Sequence, residues 1–157
     1  MIKVSHTVII ERPLEQVFDY VSDPTKLLEW QPGLIRVEHS GTRAEGTLKE
    51  TYKWFGRRVE HVMEIVDHEP NARLRYKSQA EHSDFERHWT FEATPEGTRV
   101  SLAVTVDTRG ALGLAKGTFE KMVQRDLRTN LEHLKDLLEI HEDFHAAHSV
   151  LPKHDHR

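Results

Sequence analysis

The C-terminal part of the sequence contains a pattern that binds zinc in some proteases. His141, Glu142 and His145 match the motif H-E-x-x-H, in which two histidines four residues apart hold one metal ion. His148, about one helical turn further on, is the nearest candidate for a third ligand. A catalytic metal also needs a cleft, and none is expected at the end of the last predicted helix. We therefore predict no functional metal site, and at most adventitious Ni²⁺ or Zn²⁺ binding by His141, His145 and His148.

A second group of residues with chemical potential lies in predicted strands, and consists of Glu50, His61 and Arg87. A general acid or base together with an oxyanion stabiliser would support enolisation and loss of water. Arg87 is then the stabiliser, and Glu50 or His61 is the acid or base. Tyr52 or Tyr76 would orient a carbonyl. The alternative is structural: Arg87 pairs with Glu50 or extends past the end of the sheet, and His61 is a satisfied interior histidine.

Period-two alternation places these polar residues on the inner face of a sheet, because successive side chains of a strand point to opposite faces. In the strand near 84–93, Arg87 shares a face with Phe85, Trp89 and Phe91, whereas the other face is polar. The inner sets of three further strands are Leu48, Glu50, Tyr52 and Trp54; Val59, His61, Met63 and Ile65; and Leu74, Tyr76 and Ser78. An apolar, aromatic wall with a few polar groups is typical of a small-molecule pocket.

A tight turn at Gly56-Arg57 predicts how the strands on either side of it pair. The predicted opposite pairs are Trp54–Val59, Tyr52–His61 and Glu50–Met63. Glu50 and Arg87 then lie three strands apart, about 14 Å at the usual strand spacing. That separation is long for direct cooperation, which favours a binding protein over an enzyme.

The elements that position these residues follow from periodicity and turn signals. Residues 2–10 predict a strand, and apolar residues at helical spacing over 14–21 predict a short helix. A second short helix is predicted from Pro24 to about Trp30, with Asp23 as its N-cap. Further strands are predicted near 34–39, 45–55, 58–67, 72–80, 84–93 and 98–107, joined as antiparallel neighbours by short turns. A long helix over roughly 114–143 would then cover the sheet.

Composition excludes several classes of function. The chain has 157 residues, a formal net charge of −4 and no cysteine. Disulfides, thiolate zinc sites and iron–sulfur clusters are therefore absent, and no cofactor is expected. The acidic balance argues against nucleic-acid binding, and no apolar run approaches the roughly 18 residues of a membrane span. The composition is compatible with a cytoplasmic protein that does not insert stably into membranes.

The order of elements and several short motifs resemble the START-like or helix-grip (SRPBCC) superfamily. The matching stretches are Glu11-Arg12-Pro13 to Val17-Phe18, Asp23-Pro24 to Trp30-Gln31-Pro32-Gly33, Gly56-Arg57-Arg58, Thr90-Phe91-Glu92, Gly97-Thr98-Arg99-Val100 and Asn130-Leu131 to Leu137-Leu138. They fit the polyketide cyclase/dehydrase-type branch of small bacterial proteins. The resemblance implies an α+β helix-grip fold, in which a seven-stranded curved antiparallel sheet wraps a long C-terminal helix. Residues 41–47 lack the glycine-rich loop of plant relatives, which argues against a phytohormone-type ligand.

These observations predict one domain over 1–143 and a His-rich flexible tail over 144–157. We expect the domain to bind a hydrophobic or aromatic small molecule, such as a lipid, polyketide or quinone, between the sheet and the last helix. The expected ligand-binding residues are Trp30, Tyr52, Trp54, His61, Met63, Tyr76, Arg87, Trp89, Phe119 and Met122. One alternative is a cyclase or dehydratase that uses Arg87 with Glu50 or His61. Another is a partner-binding protein with a vestigial cavity; the oligomeric state is left open.

Overall fold

The computed structural model describes residues 1–54, 56–78, 85–107 and 116–150, without the side chains of Trp54 and of residues 141–150. Seven strands and three α-helices are found in these ranges. In chain order they are β1 (Ile2–Ile10), α1 (Leu14–Ser22), a 3-10 turn (Pro24–Lys26), α2 (Leu27–Trp30), β2 (Leu34–Gly41), β3 (Gly46–Trp54), β4 (Arg57–Glu69), β5 (Arg73–Ser78), β6 (Phe85–Thr94), β7 (Gly97–Val106) and α3 (Lys116–Val150). The six strands of the predicted meander begin and end within two residues of their predicted positions.

The strands form one antiparallel sheet in the order β1-β7-β6-β5-β4-β3-β2. Strands β2 to β7 follow one another as a meander, and β1 pairs with β7 at one end of the sheet. The helix-grip fold predicted from the sequence is confirmed, with two short helices between the first two strands and a long helix after the last.

Alternating burial along the strands creates the core between the sheet and α3. In β7, Val100, Leu102 and Val104 are buried, while the residues between them are more exposed. Leu131 and Leu134 of α3 are fully buried on the facing side. Burying one such side chain stabilises the fold by about 1.5–3 kcal/mol, so this shared apolar face holds the helix on the sheet.

Side chains of α3 also bind the backbone of β1. Gln124 Nε2 donates to the Ser5 carbonyl oxygen at 3.0 Å, and Lys135 Nζ donates to that of Ile9 at 2.6 Å. Arg12, just after β1, donates to the carbonyl oxygen of Leu138 at 3.3 Å. The helix is therefore fixed along one edge of the sheet.

The backbone of α3 is helical to Val150, so the predicted helix end near 143 is wrong. The physical reason is that neither glycine nor proline occurs between residue 141 and Pro152, and nothing stops the helix earlier. Of the predicted tail over 144–157, residues 144–150 are thus helical, and residues 151–157 lie outside the described ranges. No helix in the described ranges is long and apolar enough to cross a membrane.

The start of α1 is positioned by the turn between β6 and β7. A Cβ atom on Gly97 would lie 2.2 Å from the Ile10 carbonyl oxygen and 2.9 Å from the backbone nitrogen of Arg12, and its φ is +154°. The neighbouring Thr98 hydroxyl donates to the Arg12 carbonyl oxygen at 2.8 Å.

Asp23, which follows α1, accepts hydrogen bonds from the backbone nitrogen and the side-chain hydroxyl of Thr25, which confirms the predicted N-cap.

We expect Gly97→Ala to lower the free energy of unfolding by about 2–5 kcal/mol, because the new methyl group meets backbone atoms that have little room to move. The matched control is Gly56→Ala: its φ is +74°, but no atom lies within 4 Å of the added Cβ. The free energy of unfolding of that variant should fall by only about 1 kcal/mol. Urea unfolding followed by circular dichroism measures both, and equal losses would contradict the packing argument.

Candidate functional site

A cavity of about 560 Å³ lies between the inner face of the sheet and α3. Its walls combine aromatic and aliphatic side chains with eight polar or charged ones. The lining residues are Trp30, Gln31, Pro32 and Gly33 from α2 and the loop that follows; Tyr52, Lys53, Val59, His61, Phe85, Arg87, Trp89, Leu102 and Val104 from the sheet; and Val123, Arg125, Asp126, Leu127, Thr129 and Asn130 from α3. This volume is in the range of ordinary small-molecule pockets.

A buried ion pair between Arg87 and Glu50 lies against this cavity. Arg87 Nη2 is 3.1 Å from Glu50 Oε1, and Arg87 Nη1 is 3.4 Å from Glu50 Oε2. Glu50 is fully buried, and Arg87 is 8% exposed. The burial of Arg87 disfavours its charge, but Glu50 and Tyr52 outweigh this and raise the pKa of the guanidinium above its usual range. Arg87 is therefore a permanent cation whose charge is balanced inside the fold.

The predicted separation of about 14 Å between Glu50 and Arg87 is wrong. Their strands are three apart, as predicted, but the sheet curls so strongly that side chains on its concave face meet. Strand spacing measures distance along the sheet and overestimates distance across a curved one. The argument against cooperation between these two residues therefore does not hold.

The predicted register of β3 and β4 is also wrong by two residues. The observed opposite pairs are Trp54–Arg57, Tyr52–Val59, Glu50–His61 and Leu48–Met63. The turn comes one residue earlier than predicted, because Gly56, with φ +74°, occupies its second position. Since a shift of the turn by one residue moves the pairing by two, the inner and outer faces keep their predicted assignment.

Tyr52 and Gln31 extend the ion pair into a hydrogen-bonded chain. The Tyr52 hydroxyl donates to Glu50 Oε1 at 3.0 Å and accepts from Gln31 Nε2 at 2.8 Å. Arg87 Nη2 also donates to this hydroxyl, at 3.4 Å. Burial is the main cause that raises the pKa of Tyr52, so the phenol stays neutral. The chain joins β3, β6 and the end of α2 in one polar cluster.

Sequence reasoning missed Gln31, which it noted only as part of the stretch Trp30-Gln31-Pro32-Gly33. The residue follows α2, where its backbone nitrogen donates to the Leu27 carbonyl oxygen at 3.1 Å. The residue is 7% exposed, and its side chain points to Tyr52. In the described part of the chain, Gln31 Oε1 and Trp30 Nε1 are buried without a hydrogen-bond partner. The available signal was a polar residue directly after Trp30, which was itself an expected ligand-binding residue.

His61 is a neutral histidine beside the cluster. Its ring packs edge-on against Phe85, with centroids 4.5 Å apart. Burial, and next the charge of Arg87, lowers its pKa to about 4 from an ordinary value of 6.5. At neutral pH the imidazole therefore carries one N–H donor and one acceptor nitrogen and no charge.

Five of the predicted binding residues line the cavity: Trp30, Tyr52, His61, Arg87 and Trp89. Four others are not part of its lining, namely Met63, Tyr76 and Phe119, which are buried, and Met122, which is half-buried. Burial raises the pKa of Tyr76 to about 12. The last predicted binding residue is Trp54, whose side chain is not among those the structure describes.

Sequence reasoning also left out part of the wall. Leu102 and Val104 of β7 line the cavity, and their alternation was visible in the sequence. Val123 and Leu127 of α3 line it at helical spacing.

The side chains of His141, His145 and His148 also lie outside the description. Among the described residues, no group of histidine, aspartate and glutamate side chains could hold a metal ion.

The first prediction from the site concerns the ion pair. We expect Glu50→Gln to lower the free energy of unfolding by about 3–5 kcal/mol, because it leaves the Arg87 charge buried and unpaired. The double variant Glu50→Gln/Arg87→Met should recover a large part of this loss. Arg99→Met, which breaks an exposed ion pair with Glu92, is the control and should cost less than about 1 kcal/mol. A double variant that is less stable than Glu50→Gln would contradict the role assigned to the pair.

The second prediction concerns how the free energy of unfolding depends on pH through His61. The folded-state pKa of His61 is lowered, so below pH 6.5 the unfolded chain binds a proton at this residue more readily than the folded chain. The contribution of His61 to the free energy of unfolding is complete above pH 6.5 and is lost as the pH falls toward 4. Relative to His61→Gln, the free energy of unfolding of the wild-type protein should therefore fall by an amount on the order of 3 kcal/mol across this window.

Urea unfolding at a series of pH values tests this, since carboxylates titrate in both proteins and cancel in the difference. His133→Gln, at an exposed position on α3, is the control. A difference between wild type and His61→Gln that does not change with pH would show that the imidazole is not held neutral.

Comparisons with known proteins agree with this architecture. The family model described as polyketide cyclase / dehydrase and lipid transport matches residues 1–139. Among solved structures, TTHA0849 from Thermus thermophilus superposes with a TM-score of 0.73 at 22% identity, covering 85% of this chain and 94% of that chain. A START superfamily protein from Mycobacterium smegmatis superposes with a TM-score of 0.74 at 17% identity, covering 87% of this chain and 97% of that chain. No curated protein matches the sequence.

The di-domain ARO/CYC StfQ from the steffimycin biosynthetic pathway is also similar, with a TM-score of 0.74 at 15% identity. The match covers 90% of this chain and 52% of StfQ. At these identities the likeness to solved structures concerns the fold alone.

Proposed function

Because this chain belongs to the polyketide cyclase / dehydrase and lipid transport family, we propose that it binds a hydrophobic small molecule in the cavity between the sheet and α3. The ligand class that fits best is an uncharged aromatic molecule with an oxygen function. The observation that carries this proposal is the charge-balanced Arg87–Glu50–Tyr52 cluster against an aromatic wall. A cavity of about 560 Å³ also argues against the alternative of a vestigial cavity.

The aromatic wall supports a flat, apolar ligand. Trp30 and Trp89 pack edge-to-face with centroids 5.7 Å apart, and both line the cavity. Phe85 lines it from the neighbouring part of β6. Rings of this kind bind other rings through offset or edge-to-face contacts, in addition to the burial of apolar surface.

The charge balance of the cluster supports an uncharged ligand. Arg87 is already paired with Glu50, while Tyr52 and His61 are neutral at pH 7. A carboxylate placed at the cluster would lose its hydration, and the paired Arg87 would return little of that cost. The two other cations of the lining, Lys53 and Arg125, are exposed, so they do not replace that hydration at the cluster. A carbonyl, phenol or quinone oxygen meets no such cost, and it could accept a hydrogen bond from Arg87 or His61. The preference is therefore for neutral oxygenated molecules over free fatty acids.

We expect Tyr52→Phe to weaken binding of an oxygenated aromatic ligand, roughly tenfold, because loss of the hydroxyl releases Arg87 and Gln31 from their positions. Tyr20→Phe removes a hydroxyl bonded to Glu29, away from the cavity, and should leave affinity unchanged. The measurement is a titration with a panel of flavonoids, anthraquinones and fatty acids, followed by intrinsic tryptophan fluorescence.

A second pair of variants tests the location of binding. Val123→Trp adds bulk to the cavity wall and should abolish binding, whereas Lys121→Trp lies on α3 outside the lining and should not. A ligand that binds Val123→Trp as tightly as Lys121→Trp, and Tyr52→Phe as tightly as Tyr20→Phe, would contradict the assigned cavity. Preferential binding of fatty acids would contradict the assigned ligand class.

The alternative function is a cyclase or dehydratase, and one observation favours it. Arg87 and His61 both line the cavity, so a cation and a neutral imidazole face the same space. Glu50 is fully buried and bonded to Arg87 and Tyr52, so it suits positioning better than proton transfer. Turnover of a bound polyketide that is lost in His61→Gln, with binding retained, would support the enzyme. The cytoplasmic location and the absence of nucleic-acid binding expected from the sequence stay predictions.

A further inference from the structure

The outer edge of β2 has no strand partner in the described part of the chain. β2 is the last strand of the sheet and pairs there with β3, while α2 and the 3-10 turn also contact it. At the opposite edge, α3 occupies carbonyl oxygens of β1 through Gln124 and Lys135. An open edge presents backbone donors and acceptors to any strand that can align with it.

The register of the hairpin shows which backbone groups of β2 point outward. The Thr42 nitrogen donates to the Glu45 carbonyl oxygen at 2.8 Å, so these two residues form a hydrogen-bonded pair. Bonded and non-bonded pairs alternate in an antiparallel ladder, so Glu38, four residues earlier, also bonds to β3. Val37 and His39 therefore direct their N–H and C=O groups to the open edge.

The charges on this edge are arranged symmetrically about Val37. Arg36 precedes it and Glu38 follows it, and both side chains lie on the outer face, 70% and 47% exposed. Within one chain they pair with each other, but an exposed pair of this kind contributes little stability. Ile35, just before them, is 43% exposed.

We infer that a second copy of this chain pairs with β2 in an antiparallel manner, across a two-fold axis through Val37. The two Val37 residues then exchange both of their outward backbone hydrogen bonds. Arg36 lies opposite Glu38 of the second copy, and Glu38 lies opposite its Arg36. These are non-hydrogen-bonded pairs, in which opposite side chains approach most closely. Only antiparallel pairing at this register makes both contacts attractive, which specifies a second copy as the occupant.

The inference does not depend on the ligand or on the proposed function, because it uses neither α3 nor the inner face of the sheet. The bulge between Leu34 and Arg36 interrupts the regular strand at one end. The pairing is therefore short and centred on three residues, and the dimer should dissociate on dilution.

Sedimentation velocity over a concentration series tests the dimer. Arg36→Glu and Glu38→Arg each place like charges opposite one another in a dimer, and each should weaken self-association by roughly tenfold or more. An equimolar mixture of the two variants restores opposite charges across the axis and should form a heterodimer. Arg99→Glu, on the outer face of β7, is the control and should dimerise as the wild type does.

A further variant tests the backbone bonds. Val37→Pro removes the outward N–H without removing a bond to β3 and should be monomeric, with its fold checked by circular dichroism. A wild-type chain that is monomeric at every concentration overturns the inference and leaves the edge to a strand of another protein. A dimer that survives Arg36→Glu overturns the assignment to β2, and so does a variant mixture that stays monomeric.

Discussion

The buried ion pair between Arg87 and Glu50 constrains the rest of the structure. A charge removed from water costs several kcal/mol unless a partner compensates it, and these two residues start on strands three apart in the sheet. They meet because the sheet curls until its concave face brings β3 and β6 together. The same curl creates the space that α3 covers. Tyr52 and Gln31 complete the compensation and tie the end of α2 to the sheet, so the polar cluster and the cavity wall are one arrangement.

The way α3 is held explains why the space beneath it stays open on one side. Its polar contacts go to the β1 edge, through Gln124, Lys135 and the chain around Arg12. Among the described strands, β1 is the one that α3 contacts most. The cavity lies beside this edge and beyond it, where side chains of β3, β4, β6 and β7 line it together with Val123 and Leu127. A helix clamped along one edge of a curved sheet leaves a gap along the opposite side, and here that gap has aromatic walls.

Most of the fold could be predicted because it depends on local patterns. The bounds of β1 and the inward direction of Arg87 and Glu50 follow from alternation, which requires no knowledge of distant contacts. The distance between those two residues could not be predicted, since alternation gives a face and not the curvature of the sheet. The turn at Gly56 was placed one residue late because a glycine marks a turn in the sequence without showing which position of the turn it occupies. Gln31 was missed because its role arises only when α2 meets Tyr52 across the fold.

The two edges of the sheet show how one sequence treats the same problem in two ways. The carbonyl oxygens of β1 are bound by side chains of α3, so that edge offers little to another strand. On β2 the bulge and the exposed charges disfavour pairing with most strands, which is how natural sheets avoid aggregation. Arg36 and Glu38, however, are of opposite sign and equidistant from Val37. A strand of identical sequence running in the opposite direction therefore places Glu38 opposite Arg36 and Arg36 opposite Glu38. A pattern that excludes other strands while accepting its own copy is a basis for specific self-association, and it operates independently of the cavity chemistry on the inner face.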